Sequence, residues 1–262
     1  MGIDDGAQAQ RSYSEPRLGP HVNTPSFPEQ ALTRVVQWVA AGESAKAKTL
    51  CRQAIAASPS YAGLHQMLAY LDLQDGDIAS ARKHIALALT LRPGHPPSLL
   101  IAGNAALADG DLAAALEFHS GAQSLAPDRA DAALALGSTQ HACGLLHEAR
   151  RSLELAVARA AGSEQAWFHL ALVQQDLGDV EAAIHALRRV LALAPQRAEA
   201  EVNLGIVLQD TGRLDEAMQA YGRAYRLRAD TFGRISNALA NAPRGCLWLD
   251  LADLRETLAA LD

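Results

Sequence analysis

The chain has 262 residues, of which 49% are hydrophobic and 20% charged. That is enough apolar material for a core, and it excludes wholesale disorder. Aromatics make up only 5%, so the core must be built from small and aliphatic side chains. The formal net charge of −6 sets aside a protein that works mainly by gripping nucleic-acid phosphates.

Residues 1–27 carry Pro16, Pro20 and Pro25, many polar residues and no hydrophobic periodicity. They are expected to form a flexible N-terminal tail. The acidic start, with Asp4 and Asp5 and no apolar segment, does not suit a secretory signal. No run of about 18 apolar residues occurs anywhere, so no membrane insertion is expected. Cys51, Cys143 and Cys246 are widely spaced. A disulfide framework or a cysteine zinc site is not indicated, and a reducing, cytoplasmic location fits.

From residue 28 a repeat takes over. Pro59, Pro93 and Pro127 are 34 residues apart, and Pro195 lies 68 beyond Pro127. Six units follow: 28–61, 62–95, 96–129, 130–163, 164–197 and 198–231. Glycine recurs without exception at Gly42, Gly76, Gly110, Gly144, Gly178 and Gly212. Alanine recurs at Ala47, Ala81, Ala115, Ala149, Ala183 and Ala217. A second small column runs Ala54, Ala88, Ala122, Ala156, Val190, Ala224. An aliphatic column runs Leu68, Ala102, Leu136, Leu170, Leu204, with Arg34 the outlier in the first unit.

Each column has a physical reason. The glycine separates two apolar-periodic stretches, where a helix ends on a residue with φ > 0. Asp77, Asp111 and Asp179 follow it and are placed to cap the next helix. The alanines let two helix axes approach closely. Proline at the end of the unit stops the second helix. Gly162-Ser163 and Asp230-Thr231 are the breakers where proline is missing. Each unit therefore reads as helix, tight turn, helix, short loop.

This pattern resembles the tetratricopeptide repeat (TPR) family over 204 of the 262 residues. The fifth unit is nearest the family pattern, with Trp167, Leu170, Ala171, Gly178, Ala183, Leu187 and Pro195 at the expected spacing. The resemblance implies an all-α, right-handed α-solenoid whose first helices line a concave groove. The columns that meet ligands in this family place Tyr70, Leu100, Ile101, Asn104, Leu134, Phe168, His169, Leu172, Val202, Asn203 and Ile206 as candidate partner-binding residues. The lysine and arginine of the family's C-terminal-carboxylate clamp are missing from the columns that would hold them. The asparagine ladder that holds extended peptides is reduced to Asn203.

What remains is an apolar strip suited to a partner peptide or an amphipathic helix. The alternative is that neighbouring helices or the chain's own tail cover these residues. Beyond 231, a helix from about Phe232, a break at 241–245 and a last helix around Leu251, Leu254 and Leu258 read as C-terminal capping helices over 232–262. Trp248 either packs on this end or docks a partner, and these helices also offer a route to self-association.

No catalytic chemistry stands out. His147-Glu148 opens like a zinc-protease motif, but residue 151 is Arg151. His141 and His169 face the groove in adjacent units without a third ligand. No phosphate-cradling glycine loop and no nucleophile elbow occur. No cofactor and no metal are expected. Arg213, Arg223, Arg226, Arg228 and Arg234 gather late in the chain, as a solvated face or as a patch for an acidic partner segment. The functional expectation is a non-catalytic protein–protein interaction scaffold. The alternative is an accessory or substrate-docking subunit of a TPR-associated transferase.

Overall fold

The computed structural model describes residues 26–241 and 251–261. Residues 1–25, most of the expected tail, lie outside this range, as does Trp248. The described residues form fourteen α-helices and no strand. Six antiparallel hairpins come first: α1 (Phe27–Ala40) with α2 (Ser44–Ala57), α3 (Ala62–Gln74) with α4 (Ile78–Leu91), and α5 (Pro96–Ala108) with α6 (Leu112–Leu125). Then follow α7 (Ala130–Ala142) with α8 (Leu146–Arg159), α9 (Glu164–Asp176) with α10 (Val180–Leu193), and α11 (Ala198–Asp210) with α12 (Leu214–Leu227). A 3-10 turn at Ala229–Thr231 leads into α13 (Phe232–Asn241), and α14 spans Leu251–Ala260.

Local chemistry sets these boundaries. Phe27 is already helical, and the Ser26 N–H donates to the Glu29 carboxylate at 2.7 Å. The six turn glycines all have positive φ, between +74° and +81°. In the second turn the Asp77 N–H reaches back to the Asp72 carbonyl at 2.9 Å, closing the wide loop that such a glycine permits. Asp77 and Asp111 then cap α4 and α6 through bonds from Ser80 N and Ala114 N. The bond from Ser80 holds the Asp77 carboxyl below its ordinary range. Asp179, expected to do the same, makes no side-chain cap bond.

Both small columns lie in the packed layer. Every alanine of the first column is at most 1% exposed, and every residue of the second is fully buried. First helices of consecutive units touch each other from α1 through α9, and second helices pack on their own partner and the next first helix. The first helices therefore form the inner layer of the solenoid.

The outlier Arg34 has a simple cause. Its column faces the preceding hairpin, and among the described residues none precedes the first unit. A leucine there would lie in water; Arg34 is exposed instead, with its guanidinium 5.3 Å from the centre of the Trp38 ring. The other end is covered by α13 and α14. Phe232, Ile235 and Leu239 of α13 and Leu254 and Leu258 of α14 join the core that α10, α11 and α12 share.

Candidate functional site

The inner layer carries a row of hollows at its N-terminal end. The first, about 450 Å³, lies between α1, α3 and the loop before α5 and is lined by Leu32, Val36, Tyr61, Gln66, Met67, Arg92 and His95. The second, about 230 Å³, shares Val36, Gln66 and Met67 with it and adds Val39, Tyr70 and Ile101. The third, about 340 Å³, is lined by Leu100, Asn104, Leu107, Leu134, Ser138, Gln165 and His169.

Of the sequence-predicted residues, Tyr70 and Ile101 thus line the second hollow, and Leu100, Asn104, Leu134 and His169 the third. Tyr70 is 37% exposed and Val36 48%. These are large apolar side chains left open to solvent on one continuous face.

The far end of the expected strip is closed. Phe168 lies under the Arg197 guanidinium, 3.9 Å from its ring centre, and Arg197 is itself paired with Glu164. Leu172 is half-buried and lines none of the three hollows. Ile206 packs against the core of α10–α12. Val202 is fully buried in that core, and Asn203 is 5% exposed. The Asn203 side-chain oxygen accepts from Arg234 Nη2 at 2.8 Å. Gln209 Nε2 donates to the Ala238 carbonyl at 3.2 Å. Val202 and Asn203, expected to meet a partner, are thus buried where α13 stacks on α11, with the Asn203 amide oxygen taken up by Arg234. The hollows are lined by units one to four together with Gln165 and His169 of unit five.

Polar groups fix the geometry of the open part. The Ser98 hydroxyl donates to Gln66 Oε1 at 3.1 Å, and His95 Nδ1 lies 3.0 Å from the same hydroxyl oxygen. Since the single hydroxyl proton is used on Gln66, His95 Nδ1 is the donor in its own bond. This leaves the Gln66 amide N–H groups and His95 Nε2 for the hollow. Burial, Arg92 and Arg129, in that order, push the His95 imidazole below its ordinary value. No carboxylate lines the first two hollows. Arg92 and His95 sit in loop positions between units, outside the helix columns read from the sequence.

Deeper in the third hollow, His119 is fully buried, with Nδ1 2.7 Å from Thr139 Oγ1. Burial pushes its pKa down, partly opposed by its bond to the Leu100 carbonyl. His169 is likewise lowered, by burial and then by His141. His141 is paired with Asp176 at 2.7 Å. Among the described residues no group of three His, Cys, Asp or Glu is placed to hold a metal ion. No described helix is long and apolar enough to cross a membrane. The late arginines are largely neutralised: Arg213 pairs with Glu216, Arg223 with the buried Glu201, and Arg228 with Glu199 and Asp230.

Residues 168–233 match the family model for the tetratricopeptide repeat. No curated protein matches the chain. Among solved structures, PilF of Pseudomonas aeruginosa is similar at 18% identity, over 77% of this chain and 92% of that one, with a TM-score of 0.68. TTC0263, a thermophilic TPR protein of Thermus thermophilus, is similar at 22% identity, over 69% and 98%, with a TM-score of 0.58. YrrB, described as a TPR protein with an unusual peptide-binding site, is similar at 19% identity, over 69% and 93%, with a TM-score of 0.57. These likenesses share the stacked-hairpin fold, and the fifth and sixth hairpins, within residues 168–233, carry the tetratricopeptide repeat.

Proposed function

We propose that the chain is a non-catalytic scaffold that holds a segment of another protein in the groove lined by units one to four with Gln165 and His169. The observation that carries this reading is the continuity of the first two hollows, through Val36, Gln66 and Met67, along a face whose apolar side chains stay open to water. Burying such side chains against a partner contributes roughly 1.5–3 kcal/mol each, against the cost of ordering that partner. The peptide-binding site of the structurally similar YrrB is in keeping with this role.

The test is affinity purification with mass spectrometry, comparing the wild-type chain with an Ile101→Asp, Leu134→Asp double variant. The expected result is loss of the captured partners with an unchanged helical circular-dichroism signal. Partners retained at full yield by the folded double variant would discard the groove as the binding surface.

A further inference from the structure

The first hollow is not merely apolar. Its polar groups converge from the two ends of the second unit: Arg92 and the Gln66 amide are donors, and His95 Nε2, with the ring proton on Nδ1, is an acceptor. Arg92 comes from the loop after α4, His95 from the cap of α5, and Gln66 from α3. The Gln66 amide is oriented by Ser98, which is itself 2% exposed, so its oxygen is occupied and its N–H groups are free for the hollow. Among the described residues no carboxylate pairs with Arg92, whereas Arg129 and Arg197 each have one. An unpaired guanidinium beside an amide donor, with Leu32, Val36 and Met67 as the opposite wall, is complementary to an acid set among apolar neighbours. A carboxylate accepts hydrogen bonds and donates none, which matches the Arg92 and Gln66 donors.

Resting on the groove reading above, we infer that this hollow takes an internal aspartate or glutamate of an extended partner segment, held by Arg92 and Gln66 while an adjoining aliphatic side chain packs on Val36 and Met67. A nucleic-acid strand is disfavoured as occupant, since the chain carries a net charge of −6 and repels a polyanion. An internal side chain fits better than a chain terminus. The hollow runs on into the second one through Val36, Gln66 and Met67, so a peptide seated in it can continue along the groove.

The experiment is a random peptide array with both peptide ends blocked, probed with the full chain, followed by titration of the best binders. Bound peptides should be enriched in Asp or Glu beside Leu, Ile, Val or Met. Changing that acid to its amide should weaken binding tenfold or more. Arg92→Gln should remove the same discrimination, with little effect on the amide peptides. Equal binding of acid and amide forms, indifference to Arg92→Gln, or binding only to peptides with a free C-terminal carboxylate would overturn the inference.

A full-length variant with Asp4→Asn, Asp5→Asn and Glu15→Gln tests the chain's own N-terminal segment as occupant. A tenfold gain in acid-peptide affinity in that variant would mean that the segment, not a partner, fills the site. Ile101→Asp separates the two levels of failure. If binding shows no acid preference yet is lost in Ile101→Asp, the groove stands and this inference falls. If binding ignores Ile101→Asp, the groove reading falls with it.

Discussion

The His119 imidazole occupies the space that a side chain on Gly103 would need. A Cβ placed on Gly103 would overlap His119 Nε2. The same pairing recurs in the fourth and sixth hairpins. A Cβ on Gly137 would meet Leu153 Cγ at 2.6 Å, and one on Gly205 would overlap the edge of the Tyr221 ring. Where the first of these columns holds the bulky Val35, the second holds the small Cys51. Helix–helix distance within the hairpin is thus kept by trading volume between two columns.

Gly103→Ala should destabilise the protein by about 1–3 kcal/mol, since overpacking outweighs the gain in helix propensity from alanine. Adding His119→Ala should recover part of the loss, with a coupling of about 0.5–3 kcal/mol in a double-mutant cycle measured by urea unfolding. Strict additivity would show that the two residues do not compete for the same space.

Lys48 and Arg82 occupy the same column, and each pairs with an aspartate of the next turn, Asp75 and Asp109. Their contributions to stability should nevertheless differ. Lys48 also bridges Asp72, whose side chain is only 2% exposed, at 2.7 Å. Lys48→Met strands a buried carboxylate and should cost about 3–5 kcal/mol. Arg82→Met removes an exposed pair and should cost less than about 1 kcal/mol. Equal midpoints for the two variants in chemical denaturation would refute this ordering.

The docking of α14 depends on one small residue. A Cβ on Gly222 of α12 would lie 2.8 Å from Leu261 Cβ and 3.1 Å from the Leu258 carbonyl oxygen. Gly222→Leu should displace α14 and expose Leu254 and Leu258, which are 1% and 0% exposed. Each loses roughly 1.5–3 kcal/mol of burial. Limited proteolysis should then cut near α14 much faster than in the wild type while the hairpins resist. An unchanged cleavage rate would mean that α14 is held by something other than this contact.

Stability should fall as the solution is acidified. Burial lowers the pKa of His119, and also of His84, His95 and His169, from the ordinary 6.5. Between that value and the depressed one, the unfolded chain binds more protons than the folded chain. The stabilisation is therefore complete above about pH 6.5 and is lost as pH falls toward the folded-state pKa. Unfolding free energies at about pH 7.5 and about pH 5 should show the drop, and His119→Gln should flatten it. A steeper pH dependence in His119→Gln would contradict the assignment.

The amino-acid order by itself settled the hairpins. A glycine every 34 residues demands φ > 0 at each turn, and the alanine columns demand close helix contact. These are constraints between near neighbours along the chain, so they are readable from spacing alone. The same columns placed Ile101 and Leu134 on the inner face.

Which parts of that face stay open was decided in three dimensions. Val202 and Asn203 occupy the same columns as groove-lining residues, yet α13 seals them, because a solenoid must cover its last apolar layer. Arg34 broke its column because no hairpin precedes it among the described residues. Gly222 stood alone in a column that otherwise holds larger residues, a sign of the close approach of α14 that only the packing explains. Arg92 and His95, at the end of the second unit, meet Gln66 near its start. Exposure and convergence of this kind depend on what stacks at each end and how the layers curve, and no local periodicity encodes either.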